Sequence, residues 1–184
     1  RWFVDGLLDA TLAFAGEESA GAAFLRRDAS VWTTEKDGIS LGLLAAEMTA
    51  KTGRDPSELY LDLTRDLGAP VYERLDARAS LAQVSRLKAL KPDDVSISEL
   101  AGEPVLSIES AAPGTGEPLG GLRVKAETGW FAVRPSGTEP LYKIYAESFA
   151  GPEHLRRIQD EAQAVFRDAT SDLASGPRLA EKDI

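Results

Sequence analysis

The polar stretch RPSGTEP, residues 134–140, stands between two alternating apolar runs, WFAV before it and LYKIY after it. Its residue types are those that hold a phosphate. Arg134 has a planar fork that meets phosphate oxygens two at a time. Ser136 and Thr138 bring hydroxyl donors. Gly137 lets the backbone approach closely and can turn its N–H inward as part of an anion nest. Pro135 stiffens the entry, and Lys143, one strand later, can return a charge to the same end. A hairpin turn whose polar residues satisfy only their own backbone reads from the same letters. Residue types alone leave both readings open.

Two further clusters could carry chemistry. In GEESAG, residues 16–21, Glu17, Glu18 and Ser19 lie between small residues and are flanked by LAFA and AAFL. Carboxylates in such a loop accept hydrogen bonds from sugar hydroxyls; the same acids at a helix start favour the helix dipole. In TTEKDG, residues 33–38, Lys36 lies between two acids. It suits a phosphate contact or, when desolvated, a proton donor or acceptor, while K-D-G is also ordinary turn chemistry. The single histidine, His154, falls in GPEHLRRIQ and reads as a surface residue near a helix start. Trp2, Trp130 and Phe131 sit in apolar alternation and read as core.

The elements that must position these clusters follow from periodicity and punctuation. Residues 2–15 are apolar with a glycine break, a strand or short helix entering a loop at GEESAG. ISLGLLAAEMTAKTG has helical spacing and ends on Gly53, a C-terminal cap. DPSELYLDLTRDLG starts with a capping box, Asp55 and Glu58, with Pro56 in the first turn and Gly68 at the end. APVYERLD is extended and then turns helical; Pro70 breaks the pattern and marks a domain boundary. SLAQVSRLKAL is a helix with Ser80 and Gln83 in capping positions, stopping before Pro92. PVLSIESA reads as a strand and APGTGEPLGG as a loop. LRVKAE, a turn at Thr128-Gly129, WFAVR and LYKIYAESF alternate like half-buried antiparallel strands. PEHLRRIQDEAQAVFRDAT is an amphipathic helix, and the tail after it reads as frayed. The first part is therefore α/β with helices dominant, and the second α+β, a small antiparallel sheet packed by helices at one face.

Composition narrows the function classes. The chain has 184 residues, 43% hydrophobic and 28% charged, the profile of an ordinary globular protein with room for one large domain or two small ones. No apolar run approaches the ~18 residues of a membrane span. A formal charge of −9 argues against nucleic acid and anionic membrane as partners of the whole surface, while leaving room for one basic pocket. The absence of cysteine excludes disulfides, thiolate nucleophiles and cysteine zinc sites, and agrees with a cytoplasmic location. The chain opens RWFVDG and its only methionine is Met48, which suggests a piece of a longer protein beginning within a fold.

Three loops thus stand in order: GEESAG, KDG and RPSGTEP. They are embedded in WFVDGLLDATLAFAGEESAGAAFLR, WTTEKDG, LAAEMTAKTGRDPSELY and GGLRVKAETGWFAVRPSGTEPLYKIYAESF. This order and wording resemble the alpha-D-phosphohexomutases, and among them the bacterial phosphoglucomutases. The resemblance runs to about residue 168 and rests on several long motifs, where RPSGT alone would be only suggestive. It implies four domains around a central cleft. Residues 1–70 would be the end of the third domain, in α/β layers. Residues 71–184 would be a complete fourth domain, a TBP-like antiparallel sheet with packed helices.

The resemblance also implies roles. Glu17 and Ser19 would read the sugar hydroxyls. Lys36 would border the reacting phosphate, as a charge contact and proton-transfer group. Arg134, Ser136, Gly137 and Thr138 would grip the non-reacting phosphate, with Lys143 assisting. The implied substrate is a hexose phosphate, the intermediate glucose 1,6-bisphosphate, and the metal of the intact enzyme Mg2+. Neither the family's phosphoserine loop nor its D-x-D-x-D magnesium loop is found in this sequence. The expectation is therefore recognition without a nucleophile or metal ligands, and catalysis only with the remaining domains of the same enzyme. Relatives acting on mannose or glucosamine phosphates tend to end the sugar loop in glycine-histidine; Ala20-Gly21 favours glucose. A stand-alone phosphosugar-binding module, a related phosphomannomutase or phosphoglucosamine mutase, and an inert structural unit are the competing readings. A connector over residues 70–80 would serve as a hinge.

Overall fold

The computed structural model describes residues 3–17, 21–113, 115–137 and 139–171. The chain divides into two compact units, Arg1–Leu67 and Gly68–Ile184; the sequence pattern places the boundary at Pro70.

In the first unit a short helix, α1 (Val4–Leu8), precedes an antiparallel hairpin of β1 (Phe14–Glu17) and β2 (Gly21–Phe24). Phe14 stands opposite Phe24, and Ala15 opposite Ala23. GEESAG, expected to be a loop, thus lends Glu17 and Gly21 to paired strands. The pairing follows from apolar alternation: Ala15 and Ala23 close over Leu7, with Phe3, Leu25 and Val31 around them. Helix α2 (Gly38–Thr52) begins on the Asp37 side chain and ends at Gly53, which adopts φ 70°. That left-handed turn is what a C-terminal glycine supplies. Helix α3 (Pro56–Leu67) carries the capping box read from sequence: the Glu58 amide donates to Asp55 Oδ1 at 3.0 Å, and the Asp55 amide to Glu58 Oε2 at 2.9 Å. Neither helix buries a residue fully.

The second unit is built on a five-stranded antiparallel sheet of order β3-β9-β8-β7-β6. Its strands are β3 (Val71–Arg78), β6 (Ser107–Ala111), β7 (Pro118–Lys125), β8 (Gly129–Pro135) and β9 (Leu141–Ser148). A small ribbon of β4 (Glu99–Leu100) and β5 (Glu103–Pro104) stands apart. Helices α4 (Leu81–Ala89) and α5 (Pro152–Ala169) complete the unit. Strict alternation on β9 sends Tyr142, Ile144, Ala146 and Ser148 inward. The first three meet Phe131 and Val133 of β8, Leu122 and Val124 of β7, Leu87 of α4, and Leu155, Ile158, Ala162 and Phe166 of α5. Burying each large side chain contributes about 1.5–3 kcal/mol. The opposite face carries the odd-numbered residues of β9 and the even-numbered residues of β8, among them Lys143, Tyr145 and Arg134.

Three expectations give way here. Residues 71–78, read as extended and then helical within a hinge, form the edge strand β3 along its whole length. Alternation decides it: Val71, Leu75 and Ala77 pack against the core while Tyr72, Arg74 and Asp76 take the other face. Trp130 lies on the outer face and donates its indole N–H to Glu147 at 3.1 Å; Phe131 next to it is the fully buried one. His154 is not a loose surface side chain either. Its Nδ1 lies 2.8 Å from the hydroxyl of Ser148, which is fully buried.

Candidate functional site

The first site belongs to the first unit. Backbone bridges between Ala22 and Asp37 hold the KDG turn against β2: the Asp37 amide donates to the Ala22 carbonyl at 2.9 Å, and the reverse bond is 3.4 Å. Gly21 makes this approach feasible. It has φ 124°, and a Cβ there would lie 2.7 Å from the Asp37 carbonyl carbon and 2.8 Å from the Gly38 nitrogen. Asp37 is committed to structure. Its carboxylate accepts from the Ser40 hydroxyl and from the amides of Ile39 and Ser40, which caps α2 and holds its pKa below the ordinary aspartate value. With its neighbour so fixed, Lys36 projects from the turn. Its ammonium donates to Glu17 Oε2 at 2.5 Å. The two residues assigned by resemblance to sugar reading and to the reacting phosphate therefore form one ion pair. They border a cavity of about 110 Å³ together with Thr34 and Glu35.

The second site belongs to the second unit, where RPSGTEP joins β8 to β9. The turn is closed by the Ser136 amide donating to the Leu141 carbonyl at 2.9 Å. The register sets Arg134 directly opposite Lys143. Arg134, Ser136, Gly137 and Lys143 all line one cavity of about 440 Å³. A Cβ on Gly137 would meet nothing within 4 Å, so the space beside it is open to a ligand. Ser19 and Thr138 lie outside the described residues.

Several contributors escaped the sequence reading. Leu119 and Gly120 of β7 line the same cavity. They come close because Gly121 has no side chain: a Cβ there would sit 2.1 Å from the Val133 carbonyl oxygen. The signal was the glycine pair in LGGL, read only as loop. Tyr145 and Asp76 also attend the site. The Arg134 guanidinium donates to the Tyr145 hydroxyl at 3.0 Å and lies 5.1 Å from that ring's centroid. Lys143 Nζ is 3.7 Å from Asp76 Oδ2, and Asp76 Oδ1 also accepts from Arg74 Nε at 3.1 Å. Chemically this is a small cationic pocket with a hydroxyl and an open backbone turn, the composition that binds an anion.

Comparison with known proteins agrees in both units. A family model described as phosphoglucomutase/phosphomannomutase, alpha/beta/alpha domain III, matches residues 1–67. A second, described as the C-terminal domain of phosphoglucomutase/phosphomannomutase, matches residues 73–165. The chain belongs to the phosphoglucomutase/phosphomannomutase family. It is 60% identical over 163 residues to a phosphoglucomutase of Komagataeibacter xylinus, covering 89% of this chain and 29% of that protein. It is 26% identical over 168 residues to a phosphoglucosamine mutase of Exiguobacterium sp., covering 91% of this chain and 30% of the other. The chain thus spans under a third of the length of these curated relatives. Among solved structures, a phosphoglucomutase/phosphomannomutase family protein from Burkholderia thailandensis shares the fold, with a TM-score of 0.51 at 24% identity over 95% of this chain and 31% of that one. Among the described residues, no helix is long and apolar enough to cross a membrane.

Proposed function

We propose that this chain is the sugar- and phosphate-recognition portion of a phosphoglucomutase that interconverts glucose 1-phosphate and glucose 6-phosphate. In that reaction a phosphoserine donates its phosphoryl group to the sugar phosphate. Glucose 1,6-bisphosphate forms, turns over in the cleft and returns its other phosphate to the serine. The phosphoserine is assigned to no residue of this chain. Nor is Mg2+.

The reading rests on one observation, the cavity where Arg134, Ser136, Gly137 and Lys143 converge. The non-reacting phosphate must be held alike in either orientation of the bisphosphate. A pocket of one cationic fork, an ammonium, a hydroxyl and a bare backbone turn grips phosphate without reading the sugar. Holding that remote group orients the reacting end, and phosphoryl transfer depends mainly on positioning and charge neutralisation. Glu17 would accept from sugar hydroxyls, and Lys36 would stand at the reacting phosphate as charge and proton-transfer group. The relatives' names support glucose over glucosamine, with 60% identity against 26%.

A titration of this chain with glucose 6-phosphate, followed by amide NMR with free glucose as control, tests the proposal. The expected shifts cluster on Arg134, Ser136 and Gly137 and on Leu119 and Gly120, with the phosphosugar only. Equal shifts with glucose, or none at millimolar phosphosugar, would count against a phosphate pocket in this chain.

A further inference from the structure

We infer that Tyr145 is a positioning residue for the phosphate pocket: its hydroxyl and ring hold the Arg134 guanidinium in its binding orientation before any phosphate arrives. The inference deepens the proposed function and rests on the phosphate-loop reading of Arg134.

The geometry follows from strand register. On β9, Tyr145 is two residues from Lys143 and so shares its face; Lys143 is the cross-strand partner of Arg134. Tyr145 is thereby the diagonal neighbour of Arg134, a distance that long and aromatic side chains span. Its cross-strand partner on β8 is Ala132, which offers only a methyl and leaves the diagonal to Arg134 clear; on the other side, on β3, it stands opposite Arg74. The guanidinium meets the tyrosine in two ways at once. It donates to the hydroxyl at 3.0 Å and lies 5.1 Å from the ring centroid, within cation–π range.

Two features separate this arrangement from an incidental surface contact. Arg134 is exposed, and an exposed arginine otherwise spreads over many rotamers. Fixing it beforehand removes that entropy from the binding step. In addition, the partner chosen is neutral. A carboxylate at this place would compete with the phosphate for the fork, whereas a phenol orients the guanidinium and leaves its charge unneutralised. Tyr145 itself is absent from the cavity wall that Arg134 lines. It therefore acts through Arg134.

The test is a double-mutant cycle on this chain with Tyr145→Phe, Arg134→Ala and both, using glucose 6-phosphate as probe. Tyr145→Phe keeps the ring and loses the hydroxyl. We expect it to weaken binding about 5-fold, to leave the unfolding midpoint unchanged, and to speed rotation of the Arg134 guanidinium as seen in its Nη resonances without ligand. In the Arg134→Ala background it should change nothing, because coupling is then absent. The positioning role is overturned if Tyr145→Phe binds and rotates like the parent, or if its loss is as large without Arg134. If Arg134→Ala itself binds like the parent, the phosphate-loop reading fails instead.

Discussion

Arg134 and Lys143 stand directly opposite each other across the β8–β9 ladder, one cation facing another. Like charges in that position oppose pairing of the strands. Lys143 is relieved by Asp76, at 3.7 Å, and Arg134 meets a phenol. An anion lodged between the two would relieve both. Arg134→Ala is expected to weaken glucose 6-phosphate binding by about 10- to 100-fold, as loss of a charge-assisted fork. Lys143→Ala should cost only about 2- to 5-fold, since a screened point charge holds phosphate less well. Isotherms for the two variants at one salt concentration check the order; Lys143 proving the more costly would invert the roles.

Asp76 bears on the same pocket from β3. Its carboxylate lies between Lys143 and Arg74 and competes with phosphate for the lysine. Asp76→Asn should therefore tighten glucose 6-phosphate binding, by about 2- to 5-fold at low salt, with the gain shrinking as salt screens the exposed charges. Affinity measured across a salt series reads this directly. A weaker complex at every salt concentration would mean that Asp76 orients Lys143 instead of competing for it.

Local chemistry made much of the fold legible. The Asp55–Glu58 and Ser80–Gln83 capping boxes and the Gly53 cap were written in residues that act within one helical turn. The β8 and β9 strands and the second half of β7 were legible because one face of the sheet is dry and the other wet; residues 118–121 of β7 read as loop. Residues 71–78 were not, since their strand character depends on β9 as partner, some seventy positions along the chain. The same limit applied to the pocket. RPSGTEP announces itself by composition, but Tyr145 and Asp76 join it only through register: Tyr145 reads alone as an ordinary strand residue, and Asp76 as part of a stretch that turns helical. Gly121 is intermediate: the pair of glycines was visible, while the carbonyl that excludes a side chain there was not.

Acid should loosen the turn that precedes β8. The Glu103 carboxylate accepts from the Thr128 hydroxyl at 2.6 Å and the Thr128 amide at 2.9 Å. The first of these, then the second, holds its pKa below the ordinary glutamate value of 4.5. A depressed carboxyl stabilises the fold fully above its unfolded pKa, and the contribution is lost as pH falls through the lower folded value. Glu103→Gln should therefore lower the melting temperature near neutrality and flatten part of its decline below about pH 4.5. Asp37 and Asp62 are depressed too, so some acid sensitivity persists. Melting curves across the acid range decide it; a Glu103→Gln profile parallel to the parent's would deny the Thr128 bonds this role.

The Glu17–Lys36 pair separates stability from function most cleanly. Its side chains are 46% and 39% exposed, so the ion pair contributes at most about 1 kcal/mol to folding. Glu17→Gln should leave the melting temperature of this chain nearly unchanged. In an intact mutase carrying these residues its effect should fall on the choice of sugar. A site built to accept from a hydroxyl discriminates by the penalty of leaving that acceptor unmet. The ratio of kcat/KM for glucose 1-phosphate over mannose 1-phosphate is expected to fall about tenfold, with inorganic phosphate inhibiting as before. Lys36→Met should lower kcat for both sugars alike, by roughly a hundredfold or more if the ammonium moves a proton. Should Glu17→Gln instead depress both sugars equally, Glu17 would act by fixing Lys36, and the reading of sugar hydroxyls would have to come from elsewhere in the hairpin.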